Sequence, residues 1–132
     1  MPIDFNKYKQ VNAAANLMTT IEDYGKFMVH ILNGAGLNED LFKQMMSKQV
    51  AVKPGIDFGL GWKIFNDLGN GEYALQHTGG DYGNKAIAFL LPKSKRGLLI
   101  FTNSENGIVL WKKIIEELFQ EVGENLVIRN IN

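Results

Sequence analysis

The sequence predicts an α+β fold: an antiparallel sheet of about four strands, with two N-terminal helices and a C-terminal helix packed on it. Three observations carry this. Apolar residues recur at spacings of three and four before residue 48 and again after residue 107, which is the helical period. The stretch between them is broken into short apolar runs. The turns joining those runs are too short for crossover connections, so neighbouring strands run antiparallel. The 132 residues carry 45% apolar side chains, enough to bury roughly two-thirds of the unfolded surface around one core. Residues 1–132 are therefore read as a single domain.

Residues 1–16 show no period and read as an arm. Thr20 caps a first helix, with Asp23 in the capping-box position and Glu22 and Asp23 at the positive end of its dipole. Ile21, Tyr24, Phe27, Met28, Ile31 and Leu32 form its apolar stripe, and Asn33-Gly34 and Gly36 stop it. Asn38 caps a shorter helix with Leu41, Phe42, Met45 and Met46 on one face, so 20–48 is helical. The sheet is expected over 56–103. Phe58 to Phe65 reads as one strand and Asp67-Leu68-Gly69-Asn70-Gly71 as a turn. Glu72 to Thr78 is the returning strand, and Gly79-Gly80-Asp81-Tyr82-Gly83 a loop. Ala86 to Leu91 and Leu98 to Thr102 are apolar strands joined by the charged turn Pro92–Gly97, the first of them covered on both faces. A final helix spans 107–122, with Ile108, Trp111, Ile115, Leu118 and Val122 facing the core and Gly123 placed to end it.

Composition excludes several function classes. Lys plus Arg and Asp plus Glu are 14 each, for a formal charge of zero, so the basic field that drives nucleic-acid binding is absent. With no cysteine there is no thiolate nucleophile, cysteine metal site or disulfide framework. No apolar run approaches the ~18 residues of a membrane span, and Met1 to Lys9 lacks the apolar core of a signal peptide. The adjacent carboxylates Glu22-Asp23, Glu39-Asp40 and Glu116-Glu117 diverge by about 100° on their helices and read as solvated faces. His30 lies off the first helix's apolar stripe and reads as a surface histidine. Met28, Met45 and Met46 read as core. Gly59-Leu60-Gly61 and Gly69-Asn70-Gly71 lack the Lys-Ser/Thr pair of a phosphate loop. No cofactor or metal is expected.

His77-Thr78-Gly79-Gly80 stands apart. A polar pair ending a strand and running into glycines presents an imidazole, a hydroxyl and backbone N–H groups along one accessible edge. Such an edge can take an extended acyl substrate by strand addition and hold a developing oxyanion. It can equally be a strand-ending turn with a half-buried histidine.

Four segments, covering about residues 13 to 107, resemble the serine β-lactamase family in its class C-like branch, which also holds penicillin-binding proteins, DD-peptidases and esterases. Ala13-Ala14-Ala15-Asn16-Leu17-Met18-Thr19-Thr20-Ile21-Glu22-Asp23-Tyr24-Gly25-Lys26-Phe27 is similar to that family's Asn-Leu-x-Ser/Thr-Thr helix entry. Phe58-Gly59-Leu60-Gly61-Trp62 is similar to its Gly-Leu-Gly-Trp strand. His77-Thr78-Gly79-Gly80-Asp81-Tyr82-Gly83 resembles the third catalytic box, Lys-Thr-Gly in β-lactamases and often a His-Ser/Thr-Gly-Gly in the esterase-like branch. Leu91-Pro92 and Ile100-Phe101-Thr102-Asn103-Ser104 resemble its last strand pair.

The resemblance implies a partial β-lactamase/transpeptidase-like fold and a limited set of roles. His77 would stand for the box lysine as a pH-sensitive hydrogen-bonding group. Thr78 would offer its hydroxyl to a substrate carboxylate or carbonyl, and Gly79 would let substrate lie flat on the strand. Gly80 would give an oxyanion-hole N–H. The family's Ser-x-x-Lys nucleophile box is not among these residues: Ser47, Ser94 and Ser104 are followed three places on by Val50, Gly97 and Gly107. Tyr82-Gly83-Asn84 spells the second box only inside the third. The chain thus resembles the C-terminal part of such a hydrolase and is expected to be inactive alone. The expected partners are the N-terminal part of the hydrolase, or a second copy through an open strand edge, and an acyl or peptide-like small molecule. Whether the substrate is a β-lactam, a D-amino-acid peptide or a simple ester stays open. The competing reading is a non-catalytic peptide-binding or dimerisation module.

Overall fold

The computed structural model describes residues 11–14 and 17–131, the side chain of residue 131 excepted. Most of the expected arm, and Ala15-Asn16 of the resemblance, lie outside the described residues; Ala13 and Ala14 form an exposed turn. Helices α1 (Ile21–Leu32) and α2 (Glu39–Met46) are followed by strands β1 (Val50–Lys53), β2 (Ile56–Phe58), β3 (Lys63–Phe65), β4 (Ala74–Asp81), β5 (Asn84–Leu91) and β6 (Arg96–Thr102). Helix α3 (Gly107–Ile131) ends the chain. The sheet has six antiparallel strands in sequence order, so β1 and β6 are its edges.

The helix caps form as their residues dictate. Thr20 Oγ1 accepts from the Asp23 N–H at 3.1 Å and donates to the Asp23 carboxylate at 2.9 Å, while Asn38 Oδ1 accepts from the Leu41 N–H at 2.9 Å. Both sheet faces are covered. On one, Ala74, Ile87, Phe89 and Leu91 pack with Ile115, Phe119, Val122, Leu126 and Val127 of α3. On the other, Leu75, Ala88 and Leu90 pack with Trp62, Ile64 and Met28 and Ile31 of α1. Strand alternation sorts the two sets: odd residues of β5 face α3, even ones face α1. Met45 and Met46 are core-side, and His30 is exposed.

Several expectations are corrected. The sheet holds six strands, not about four, because Phe58 to Phe65 belongs to two strands and β1 precedes them. Gly59-Leu60-Gly61-Trp62 is a tight turn closed by Gly59 N–H to Trp62 O at 2.8 Å, with Gly61 at φ 86°. The exposed strand β1 pairs with β2 and starts six residues before the expected sheet. Gly79 and Gly80 lie within β4, not in a loop. The hairpin turns only at Tyr82-Gly83, where Asp81 pairs with Asn84 and Gly83 takes φ 81°. The last helix does not end at Gly123. It breaks at Gln120 (φ 50°, ψ −129°) and resumes to residue 131. Phe119 before the break and Leu126 and Val127 after it fill core positions, whereas Ile108 and Leu118 of the first segment are exposed. Gly123 is where the two segments touch: a Cβ there would sit 2.2 Å from Ile115 O.

The second segment of α3 fastens β4 and the loop before it. The side-chain amides of Gln76 and Asn130 exchange hydrogen bonds of 3.0 and 2.9 Å. Asn125 donates to Leu68 O at 2.9 Å, and Arg129 donates to the carbonyls of Asn66 and Asp67.

Candidate functional site

β4 carries all four expected site residues, His77, Thr78, Gly79 and Gly80, and the pairing around it explains its accessibility. On one side it pairs with β5 from Leu75 to Asp81. On the other, β3 reaches only Ala74, Leu75 and Gln76. Antiparallel strands alternate the direction of their hydrogen-bonding groups. The turn closed at Gly59/Trp62 and the Asn66 N–H to Gly55 O bond fix the phase across β2 and β3, so Lys63 and Phe65 bond toward β4. The even residues of β4 therefore turn their N–H and C=O groups toward β3. Gln76 meets Lys63 there; Thr78 and Gly80 extend past the end of β3 and face no strand among the described residues.

The side chains of His77 and Thr78 do not share one face, as the expected edge required. Neighbours on a strand point to opposite sides. His77 lies on the α1 side, its Nδ1 3.2 Å from Gly61 O and its ring edge-on to Trp62 with centroids 6.4 Å apart at 81°. Thr78 lies on the α3 side, in a cleft of about 480 Å³ shared with Lys63, Trp111, Lys112 and Asn130. Thr78 and Gly80 share the open stretch of β4 backbone, and the His77 side chain stands next to it while its own main chain pairs with β5. A Cβ at Gly79 would meet nothing within 4 Å, so that face is clear, while one at Gly80 would press on Lys85 at 3.0 Å.

The Thr78 cleft is electropositive: among its lining residues are two lysines and no carboxylate. Burial, and then repulsion from Lys53, push the Lys63 ammonium below its ordinary pKa. Lys63 also sits 4.7 Å from the Phe65 ring centroid. The Trp111 indole N–H is buried without a partner among the described residues. Sequence reasoning passed over Lys63, Trp111 and Lys112. The available signal was parity: Lys63 pairs with Gln76, two residues from Thr78, and so points to the same face.

The serines are engaged in local structure. Ser47 caps α2, the Ser94 N–H donates to the buried Glu72, and Ser104 accepts from the Asn106 N–H. Tyr82 and Asn84 build the β4–β5 turn: the Tyr82 N–H donates to Asp81 Oδ1 at 2.7 Å, and the Asp81 N–H to Asn84 Oδ1 at 3.2 Å. The turn is tethered to the α3 entry by Glu105, which accepts from the Gly83 N–H at 2.6 Å and pairs with Lys85. The paired carboxylates Glu22-Asp23, Glu39-Asp40 and Glu116-Glu117 are all exposed. Among the described residues no group of three or more His, Asp or Glu gathers to hold a metal ion, and no helix is long and apolar enough to cross a membrane.

Comparison with known proteins agrees with this architecture. The solved structure of a penicillin binding protein from Bacillus halodurans superposes with a TM-score of 0.63 at 22% identity, covering 76% of this chain and 30% of that one. That likeness is one of fold, and the chain spans under a third of its neighbour's length. No curated protein matches the chain. The family model described as Beta-lactamase matches residues 2–120, nearly the whole length, and the chain therefore belongs to the β-lactamase family.

Proposed function

We propose that this chain supplies the strand-side wall of a serine-hydrolase acyl-transfer site. The observation that carries the reading is the half of β4 that no strand among the described residues pairs on the β3 side, where Thr78 and Gly80 turn main-chain groups outward next to His77. An extended acyl substrate adds to that stretch as a strand. Gly80 gives an N–H to the developing oxyanion, Gly79 leaves the face clear, and His77 meets the substrate or the proton-transfer network. Thr78 binds a substrate carboxylate or carbonyl, and the positive charge of Lys63 and Lys112 in the same cleft favours a carboxylate. The attacking serine comes from the Ser-x-x-Lys part of a family hydrolase. A strand of that part completes the sheet at β6, an edge among the described strands, and an edge strand invites pairing. No cofactor is required.

The test combines this chain with a separately produced Ser-x-x-Lys part of a family hydrolase and follows acylation with a chromogenic β-lactam and an activated ester. Turnover is expected only in the mixture. Gly80→Pro removes an N–H that does not bond β5; its ring presses on the Lys85 side chain, so the rate is read in a variant that retains the β4–β5 amide pattern, where it should fall by ~10²–10³. No turnover in the mixture, together with peptide binding along β4 in the chain alone, would favour a binding module. A homodimer that excludes the added part would favour a dimerisation module.

A further inference from the structure

We infer that the Gly59–Trp62 turn holds neutral His77 in its Nδ1–H tautomer, so that the ring enters the site as a hydrogen-bond acceptor at Nε2. A carbonyl oxygen only accepts. The contact between His77 Nδ1 and Gly61 O at 3.2 Å is therefore a hydrogen bond only when Nδ1 carries the proton, which leaves the lone pair on Nε2.

The turn is built to present that carbonyl. Gly61 takes φ 86°, which L side chains rarely adopt. Gly59 approaches the end of α2 so closely that a Cβ would lie 2.6 Å from Met45 O, and the Leu60 N–H donates to the same oxygen at 3.2 Å. Trp62 is buried and stands edge-on to the imidazole, which fixes the ring plane. Gly59, Gly61 and Trp62 thus act on His77 as positioning residues. This gives the Gly-Leu-Gly-Trp segment a role that strand formation does not, since the segment interrupts a strand.

The consequence concerns what binds opposite the ring, and it rests on the reading of β4 as the substrate-facing edge. A lysine at this position can only donate. Neutral His77 with Nδ1 occupied can only accept, so its counterpart on substrate or on the completing hydrolase part is an O–H or N–H donor.

Long-range ¹H–¹⁵N correlation on the 132-residue chain at about pH 8.5, above the ordinary imidazole range, reads the tautomer directly. Nδ1 is expected as the protonated, pyrrole-type nitrogen and Nε2 as the pyridine-type one. The reverse pattern, or an average weighted toward Nε2–H, would overturn the inference. Gly61→Ala moves the carbonyl by straining its φ. It should shift the tautomer ratio toward Nε2–H by about fivefold, the equilibrium equivalent of one net neutral hydrogen bond, with the β4–β5 amide spectrum retained. An unchanged ratio in a folded Gly61→Ala protein would also overturn it. The readout needs no turnover, so its failure is distinct from failure of the hydrolase reading.

Discussion

Alanine at Gly123 should destabilise the protein even though alanine is the better helix former. In an ordinary helix interior, Gly→Ala stabilises by about 1 kcal/mol. Here the added Cβ would lie 2.2 Å from Ile115 O, 2.9 Å from Ile115 C and 3.2 Å from Glu116 Cα, all backbone atoms. Reaching the 3.4 Å at which ordinary contact begins means a retreat of 3.4 − 2.2 = 1.2 Å between the two segments of α3. A shift of that size belongs at the upper end of overpacking costs, about 3 kcal/mol, and the propensity gain brings the net loss to about 2 kcal/mol. At about 4 °C per kcal/mol for a chain of this length, Tm should fall by about 8 °C. Gly25→Ala is the control, since a Cβ in α1 there meets nothing within 4 Å; it should stabilise by up to about 1 kcal/mol. Urea unfolding followed by tryptophan fluorescence measures both. A Gly123→Ala protein as stable as the Gly25→Ala protein would refute the crossing of the two segments, and with it the account of how Asn130 holds Gln76 beside His77.

Two further outcomes follow from buried or tethered carboxylates. Glu72 is 7% exposed and accepts from the N–H groups of Tyr73, Lys93 and Ser94 at 3.1, 3.3 and 3.0 Å; Glu72→Ala should cost about 2–3 kcal/mol in chemical denaturation, with Glu72→Gln in between. An Ala variant at wild-type stability would show that the β5–β6 turn does not depend on this carboxylate. The Gly83 N–H, and then Lys85, hold the Glu105 carboxyl below its ordinary range. A depressed carboxyl pKa contributes stability above the unfolded value and loses it as pH falls through the folded one. The Gly83 amide shift should therefore titrate below the usual glutamate value of about 4.3, with the hairpin tip loosening there. A midpoint at or above that value would contradict the tether.

How much was legible in the sequence depended on how local the determinant was. Thr20 and Asn38 announce their helices because a cap is a contact between residues three apart. β5 is legible because a strand covered on both faces must be apolar throughout, and β6 because its half-buried apolar run follows a short charged turn. β1 was not, since Val50 and Val52 are exposed and its evidence is a partner strand rather than a pattern. The strand break at Gly59–Trp62 was hidden because its glycines answer to Met45 O and to a positive φ, neither visible in composition. The far end of α3 failed for the same reason: Gly123 looks like a terminator, yet its lack of a Cβ serves a contact with Ile115. At the site, the residues His77, Thr78, Gly79 and Gly80 were chosen from sequence, and they do fall on one strand. Their division between two sheet faces follows from strand parity, once Gly79 and Gly80 are placed inside β4.

The central claim is that this polypeptide stabilises an acyl intermediate without supplying the attacking oxygen. Intact-mass spectrometry after fluorophosphonate treatment of the mixture with a Ser-x-x-Lys part tests it most directly. The account predicts an adduct on the added part and an unmodified 14.8 kDa chain; an adduct on the 132-residue chain itself would contradict it.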